Sequence, residues 1–194
     1  MRRRPGQIED MTSKTITTTT TALPLPAGRW TLDPFHSAVG FTIRHLGISK
    51  VRGQFGRFAA DLTVGDTLDG CAVAATVALD SIDTGNADRD AHVSGPDMLD
   101  VVNRPAMAFR STRIDGDGAD WIMEGDLTIG EVTRSVIFDV EFGGVEDSIV
   151  DGRRHAGFEA KGEIRRSDFG LGFAPAVLGD SIKIQLDMQF VEPE

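Results

Sequence analysis

Regular alternation of apolar and polar residues, repeated along the chain, is the feature that most constrains the fold. It is clearest in residues 181–191, where every second residue from Ile182 to Phe190 is apolar and the residues between are polar. A period of two indicates a β-strand with one buried face. Turn signals such as Gly116-Asp117-Gly118 separate the repeats. Seven further segments carry a strand pattern: 39–46, 58–64, 71–79, 106–114, 121–129, 132–142 and 155–164.

The strand pattern is interrupted once, between residues 84 and 104. Short helical spacing occurs there at 88–92 and 96–102. Eight antiparallel strands with one short helical insert predict an all-β fold, either an up-and-down barrel or a sandwich. A barrel of about eight strands can hold one small ligand in its interior.

The first 27 residues differ from the rest of the chain. They show no periodicity, contain a threonine run at 17–21 and end in Leu23-Pro24-Leu25-Pro26. Such composition is typical of disorder. We therefore expect a disordered tail over residues 1–27 and one barrel domain over residues 28–194.

Charge and composition argue against several partners. The net charge is -10, which disfavours nucleic acid and an anionic membrane surface. Cys71 is the only cysteine, so no intrachain disulfide is possible. No apolar run has the length of a membrane-spanning helix, and none follows Arg2–Arg4 as a signal peptide requires. We expect a cytoplasmic protein without stable membrane insertion.

The segment 71–79 is apolar on both faces. Cys71, Val73 and Val77 share one face with two further apolar residues, and alanines occupy the other. A strand of this kind needs a cover on its outer side. We expect either the helical insert or a second subunit there, and favour a homodimer.

Polar and apolar residues are mixed between Asp33 and Phe58. His36-Ser37 precedes a strand that carries Phe41, Ile43 and His45 on one face. A pocket with an apolar body and one polar end needs this mixture. Gly125 also lies on an inward face, which indicates close approach of a ligand or another backbone, or else a bend in the barrel.

Motifs for metal binding, hydrolysis and phosphoryl transfer are incomplete in this sequence. The four histidines match no local metal motif, so hydrogen-bonded structural roles are favoured over a zinc site. Ser37 beside His36 lacks the Gly-x-Ser-x-Gly turn of a hydrolase, and Asp168-Phe169-Gly170 lacks the other kinase motifs. Arg89 can offer its donors to a phosphate, although an ion pair with Asp90 is the simpler interpretation.

Several blocks in this order resemble the YceI-like, polyisoprenoid-binding family. The blocks are Trp30-x-Leu32-Asp33-Pro34-x-His36-Ser37 with Phe41, His45 and Arg52-Gly53-x-Phe55; Ser81–Gly85 with Arg89-Asp90-x-His92; Pro105 with Phe109-x-Ser111; Gly125-x-Leu127-Thr128-Ile129 with Val132-Thr133; and Arg166-x-Asp168-Phe169-Gly170. The resemblance spans residues 30–191. It implies a lipocalin-like β-barrel, often dimeric, with a long apolar cavity for an isoprenoid chain.

The resemblance and the strand pattern together predict a non-enzymatic carrier of a long isoprenoid lipid, either a polyprenyl pyrophosphate or an isoprenoid quinone. The alternative is an enzyme that acts on a lipid head group with His36 or His92 as general base. No cofactor or metal is expected. The predicted ligand-binding residues are His36, Ser37, Phe41, Ile43, His45, Arg52, Arg89, His92, Met98, Phe109, Met123, Gly125 and Phe169.

Overall fold

A computed structural model of the chain describes residues 23–193. Most of this part is β-strand, with one short α-helix and three short 3₁₀ helices. The strands are Gly28–Leu32 (β1), Ala38–His45 (β2), Ser49–Phe55 (β3), Phe58–Val64 (β4), Ala72–Ala78 (β5), Ile82–Asp83 (β6), Ala106–Asp117 (β7), Asp120–Ile129 (β8), Val132–Asp147 (β9), Arg154–Arg165 (β10) and Leu178–Val191 (β11). The helix is Ala87–Ser94 (α1), and the 3₁₀ helices are Leu68–Gly70, Leu79–Ser81 and Arg166–Phe169.

The strands form an antiparallel barrel. Strands β4, β5 and β7 to β11 follow one another as a meander, and β1 joins the two ends by pairing with both β4 and β11. In the part of the chain that the structure describes, eight strands therefore form a closed ring. The predicted eight-stranded antiparallel barrel with a short helical insert is confirmed.

The long strand β11 pairs with two strands on the same side. Its last residues pair with β1 through Thr31–Val191 and Leu32–Phe190. Seven of its earlier residues pair with β2 between Leu178–His45 and Asp187–Ala38, with a register shift after Leu178. The turn Asp33–Ser37 separates β1 from β2. The ladder is therefore closed at the Val191 end, whereas at the Leu178 end it continues into β2, β3 and β6.

Strands β1, β3 and β6 were not predicted from the sequence. β3 pairs with β2 along its whole length, and its polar residues Lys50, Arg52 and Gln54 alternate with Val51, Gly53 and Phe55. The polar residues point outward or lie at the rim, and only Val51, Gly53 and Phe55 are partly buried. The pairing with β2 stabilises this strand.

Aromatic side chains fill the closed end of the barrel. Trp121 stacks on Phe142 with ring centroids 5.3 Å apart, and Phe158 lies against both rings. Phe190 continues the cluster at 6.0 Å from Phe158. Trp30 is fully buried, and its Nε1 donates to the carbonyl of Pro26. This cluster closes the interior near Val191.

The predicted tail lies mostly outside the described residues, because the structure describes none of residues 1–22. Leu25, on the tail side of the predicted boundary, is only 5% exposed and belongs to the core cluster. The boundary at residue 28 stays a prediction, and the buried position of Leu25 suggests an earlier start to the packed domain.

Candidate functional site

A cavity of about 610 Å³ occupies the barrel interior. This volume lies within the range of roughly 300–1,000 Å³ for small-molecule sites. The lining is dominated by aliphatic and aromatic side chains from nearly every strand. Seven of the predicted ligand-binding residues line this cavity: Phe41, Ile43, His45, Arg89, Met98, Phe109 and Met123.

Three inward phenylalanine rings lie over glycines on the neighbouring strand: Phe41 over Gly53, Phe109 over Gly125 and Phe138 over Gly162. A β-carbon added to Gly125 would lie 2.3 Å from Cζ of Phe109, closer than atoms can approach. Gly125 therefore does not itself line the cavity. Its lack of a side chain lets the ring lie flat against the wall, which keeps the lumen open.

The polar part of the lining is positively charged. It comprises His45, Ser49, Lys50, Thr84, Arg89 and Arg166. Among the described residues that line the cavity there is no Asp or Glu, although the chain as a whole has a net charge of -10. These side chains can stabilise an anionic or strongly hydrogen-bond-accepting group that reaches them.

Arg166 is the most buried of these cations, at 2% exposed. Its Nε donates to Gly179 O at 2.9 Å, Nη2 donates to Leu178 O at 3.2 Å, and Nη1 donates to Leu171 O. The guanidinium also lies 4.8 Å from the Phe173 ring centroid. In the described part of the chain its bonds run to carbonyls and not to a carboxylate, so its charge is not neutralised by a direct ion pair.

Arg166 was not predicted as a binding residue from the sequence. One sequence feature could have indicated its role. Residues 170–179, which follow it closely, contain no charged side chain that could pair with its guanidinium. A cation packed against such a segment must find carbonyl acceptors there. Leu178 also pairs with His45, so Arg166 and His45 contact the same residue of β11.

Arg89 binds Thr84 and not Asp90. Its Nε donates to Thr84 Oγ1 and its Nη2 to Thr84 O, both at 2.7 Å. Asp90 accepts from Thr84 N at 3.0 Å, so both side chains hold the segment before α1. Asn86 caps α1 by accepting from Arg89 N at 2.9 Å. The expected ion pair between Arg89 and Asp90 is therefore replaced by a shared Thr84.

His36 and Ser37 lie in the turn between β1 and β2, near Gln189 at the closed end of β11. His36 Nδ1 donates to Asp33 Oδ2 at 2.8 Å, and this bond lowers the pKa of the Asp33 carboxyl. Ser37 Oγ donates to Asp33 O at 2.7 Å and accepts from Gln189 N at 3.0 Å. Neither residue lines the cavity, and the bonds of both stabilise the turn.

A polar network extends from this turn across the barrel surface. Gln189 Nε2 donates to His155 Nδ1 at 2.7 Å, and His155 Nε2 donates to Asp151 Oδ2 at 3.0 Å. Hydrogen bonds from Arg153 N and His155 lower the pKa of Asp151 to about 2. His155, which the sequence analysis left aside, therefore links the β9–β10 turn to β11.

Three other predicted residues also lie away from the cavity lining. Arg52 pairs in register with Thr42, on the opposite face of the sheet from His45, and borders a shallow polar pocket on the outside. His92 is exposed in the last turn of α1. Phe169 is buried but packs in the core and does not line the cavity.

Strand β5 places Val73, Ala75 and Val77 in the cavity wall, as its pattern predicts. Its outer face carries Ala74, whose neighbours across the sheet are Asp61 and Arg110. Burial raises the pKa of the Cys71 thiol just before this strand. The apolar outer stripe is therefore narrow and bordered by charged residues.

Two further properties concern residues 23–193. Within them, no three His, Cys, Asp or Glu side chains come together in a group that could hold a metal ion. No helix there is both long and apolar enough to cross a lipid bilayer.

The chain is similar in sequence and in fold to YceI-like proteins. Residues 30–190 match the YceI-like domain. A UPF0312 protein of Staphylococcus epidermidis is 34% identical over 170 residues, covering 84% of this chain and 96% of that protein. The crystal structure of a Campylobacter jejuni YceI protein is 29% identical with a TM-score of 0.68, covering 78% of this chain and 91% of that one.

A more distant structure has the same fold. It is a polyisoprenoid binding domain from Saccharophagus degradans, which is 11% identical with a TM-score of 0.66. The match covers 87% of this chain and the whole of that domain.

Proposed function

Because the chain belongs to the YceI-like domain family, we propose that it binds a long-chain isoprenoid lipid in the barrel cavity and carries it without changing it chemically. The observation that carries this proposal is an apolar cavity of about 610 Å³ whose polar lining residues are cations and neutral groups. The fold shared with a polyisoprenoid binding domain supports the same ligand class.

The apolar body of the cavity suits an isoprenoid chain. Burial of each CH₂ group contributes about 0.8 kcal/mol, so several isoprene units suffice for tight binding. The phenylalanines that lie flat over glycines leave a lumen bounded by smooth hydrocarbon and aromatic surface. Such a lumen recognises an apolar chain by its cross-section and not by directional bonds.

The charge of the lining favours a polyprenyl pyrophosphate over a quinone. Lys50, Arg89 and Arg166 bring three permanent positive charges to the lining, and no described lining residue is acidic. Charge-assisted hydrogen bonds to a pyrophosphate are stronger than the neutral bonds that a quinone carbonyl can accept. An anionic head group also compensates the charge of Arg166, which lacks a carboxylate partner in the described part of the chain.

The positions of His36 and His92 argue against the alternative enzyme in which one of them is the general base. His36 is bound to Asp33 in an exposed turn, and His92 is exposed at the end of α1. A general base must lie within hydrogen-bond reach of the group it deprotonates. Neither histidine lines the cavity in which a lipid head group would lie.

The proposal includes a cytoplasmic location and a homodimer formed through the outer face of β5. The small side chains of Ala72 and Ala74 permit close approach of a second copy. The flanking residues Asp61 and Arg110 allow reciprocal ion pairs across a two-fold axis.

Native mass spectrometry of the freshly purified full-length chain tests the function. We expect a copurified adduct with the mass of a polyprenyl phosphate or pyrophosphate, recovered unchanged after incubation. In a direct comparison, a polyprenyl pyrophosphate should bind more tightly than the uncharged polyprenol of equal length. A chemically altered lipid would favour the enzyme, and failure of both probes to bind would overturn the carrier.

A further inference from the structure

The β2–β3 hairpin and the loop before β11 form one exposed apolar surface at the open end of the barrel. We call Leu46, Ile48 and residues 174–177 the mouth surface. Leu46 is 54% exposed and Ile48 is 82% exposed at the hairpin tip. Leu46 N donates to Val177 O at 2.6 Å, so the tip and the loop are joined. The loop contributes the exposed residues Ala-Pro-Ala-Val at 174–177.

This surface lies beside the polar part of the cavity. The hairpin begins directly after His45 and leads into Ser49 and Lys50, all three of which line the cavity. The loop begins after Arg166–Phe169 and ends at Leu178, which also lines the cavity. A partner that contacts the mouth surface therefore lies next to the cations that we assign to the lipid head group.

The sequence of the hairpin carries a charge opposite in sign to that of the whole chain. Residues 34–60 contain no Asp or Glu, whereas the chain has a net charge of -10. Arg44 and Lys50 flank the tip, and Arg44 packs beside Gly179 at the end of the loop. In the described residues neither Arg44 nor Lys50 forms an ion pair with a carboxylate.

We propose that the mouth surface docks on an anionic lipid membrane, with Leu46, Ile48 and Val177 in the interfacial region and Arg44 and Lys50 at the head-group phosphates. Exposed apolar groups bordered by basic side chains are what an anionic membrane surface attracts. The inference rests on the proposed carrier function, because docking by this end brings the cavity opening to the source of the lipid. It replaces the expectation, drawn from net charge alone, that an anionic membrane surface is disfavoured.

The chain contains a matched control at the opposite end of β11. Ile149 and Val150 form the exposed tip of the β9–β10 turn, at 102% and 92% exposure. That tip is flanked by Glu146, Asp147 and Asp151 and by Arg153 and Arg154, and Arg154 is paired with Glu192. It has the same apolar character without a net positive charge, and we expect an anionic surface not to attract it.

The experiment is flotation of the full-length chain with vesicles of phosphatidylcholine containing 30 mol% phosphatidylglycerol, and with vesicles of phosphatidylcholine alone. We expect binding to the anionic vesicles that weakens at high salt. Leu46→Asp/Ile48→Asp should lower the partition coefficient at least tenfold, and Arg44→Gln or Lys50→Gln about fivefold each. Ile149→Asp/Val150→Asp should change it less than twofold. Every variant retains residues 1–22, so the arginines of that segment contribute equally throughout.

Binding of a soluble fluorescent polyprenyl pyrophosphate and the melting temperature are measured on the same variants. In Leu46→Asp/Ile48→Asp and in Arg44→Gln, lipid binding retained with vesicle binding lost would support docking and separate it from the carrier function. Lys50→Gln does not enter this comparison, because Lys50 also lines the cavity. Vesicle binding unchanged in Leu46→Asp/Ile48→Asp would overturn docking, even if the carrier function held. If the wild-type chain sediments as a dimer and Leu46→Asp/Ile48→Asp sediments as a monomer, the mouth surface is an interface between two copies. That result would also overturn membrane docking.

Discussion

The ring of Phe109 lies across Gly125, so close that a β-carbon on the glycine would be 2.3 Å from Cζ and 2.5 Å from the carbonyl oxygen of Arg110. Phe109 also meets Phe138 edge to face at 5.5 Å, and Phe138 in turn lies over Gly162. These contacts link strands β7 to β10 inside the barrel. The width of the lumen therefore depends on the glycines beneath these rings as well as on the rings themselves.

Gly125→Ala should destabilise the chain and reduce isoprenoid binding. The added carbon forces the Phe109 ring inward and strains the neighbouring strand, which typically costs about 1–3 kcal/mol of unfolding free energy. Urea unfolding and probe binding measure the two effects. Gly157→Ala is the matched control, since a β-carbon on that strand glycine meets nothing within 4 Å. Equal behaviour of the two variants would contradict the role assigned to Gly125.

Arg89→Gln should weaken binding of a polyprenyl pyrophosphate by about fivefold, because an exposed ion pair contributes up to about 1 kcal/mol. Binding of the uncharged polyprenol should not change. Arg52→Gln should affect neither probe, since Arg52 lies outside the cavity lining. Equal loss for both probes in Arg89→Gln would show that Arg89 acts only by holding Thr84.

Arg166→Met should destabilise the chain strongly. Three carbonyl groups lose their donor, and a buried polar group left without a partner costs about 1–3 kcal/mol. Thermal unfolding of Arg166→Met is compared with that of Arg165→Met, because Arg165 is the exposed preceding residue at the end of β10. A melting temperature equally lowered in both variants would mean that loss of charge, and not of the buried contacts, is responsible.

Deletion of residues 1–27 should lower the melting temperature more than deletion of residues 1–22. The longer deletion removes Leu25 from the core and the Pro26 carbonyl from Trp30. Truncation of a buried leucine costs about 2–5 kcal/mol. Leu25→Ala in the full-length chain separates the two contacts. Identical melting temperatures for the two deletions would restore the domain boundary expected from the sequence.

The stability of the chain should fall as pH decreases from about 4 towards 2. The pKa of Asp151 is lowered from 3.8 to about 2 in the folded chain, so its stabilising contribution is complete above pH 3.8 and is lost as pH falls through about 2. Urea unfolding at several pH values measures the slope, which should be smaller in Asp151→Asn. Parallel curves for the two proteins would contradict the lowered pKa.

The barrel was predictable because its longest strands alternate regularly. Several of the polar residues predicted for the lipid head group do not line the cavity, for two physical reasons. His36 and His45 are close in sequence, yet β2 lies between them, and eight residues at about 3.3 Å each span roughly 25 Å. Arg52 and His45 are seven residues apart on a hairpin whose register places their side chains on opposite faces. Sequence proximity was mistaken for spatial proximity in both cases.

Arg166 and the closure of the ring depend on contacts distant in sequence. Arg166 acquires its acceptors from a loop up to 13 residues away, and β1 closes the barrel through residues 160 positions further along the chain. Local periodicity carries no information on either contact. The cavity residues on strand interiors, such as Phe41 and Met123, were predicted because alternation alone determines which face they occupy.

The two residue pairs that join β1 to β11 fix the circumference of the barrel only near Val191. Towards Leu178 the perimeter is completed by β2, β3, β6 and α1, and β3 joins β6 through only two residue pairs. The rim is therefore bounded by short elements, whereas the base is closed by main-chain pairing and filled by the aromatic cluster. For the proposed carrier function, we expect a lipid to enter and leave at the rim and its chain to stop at the base.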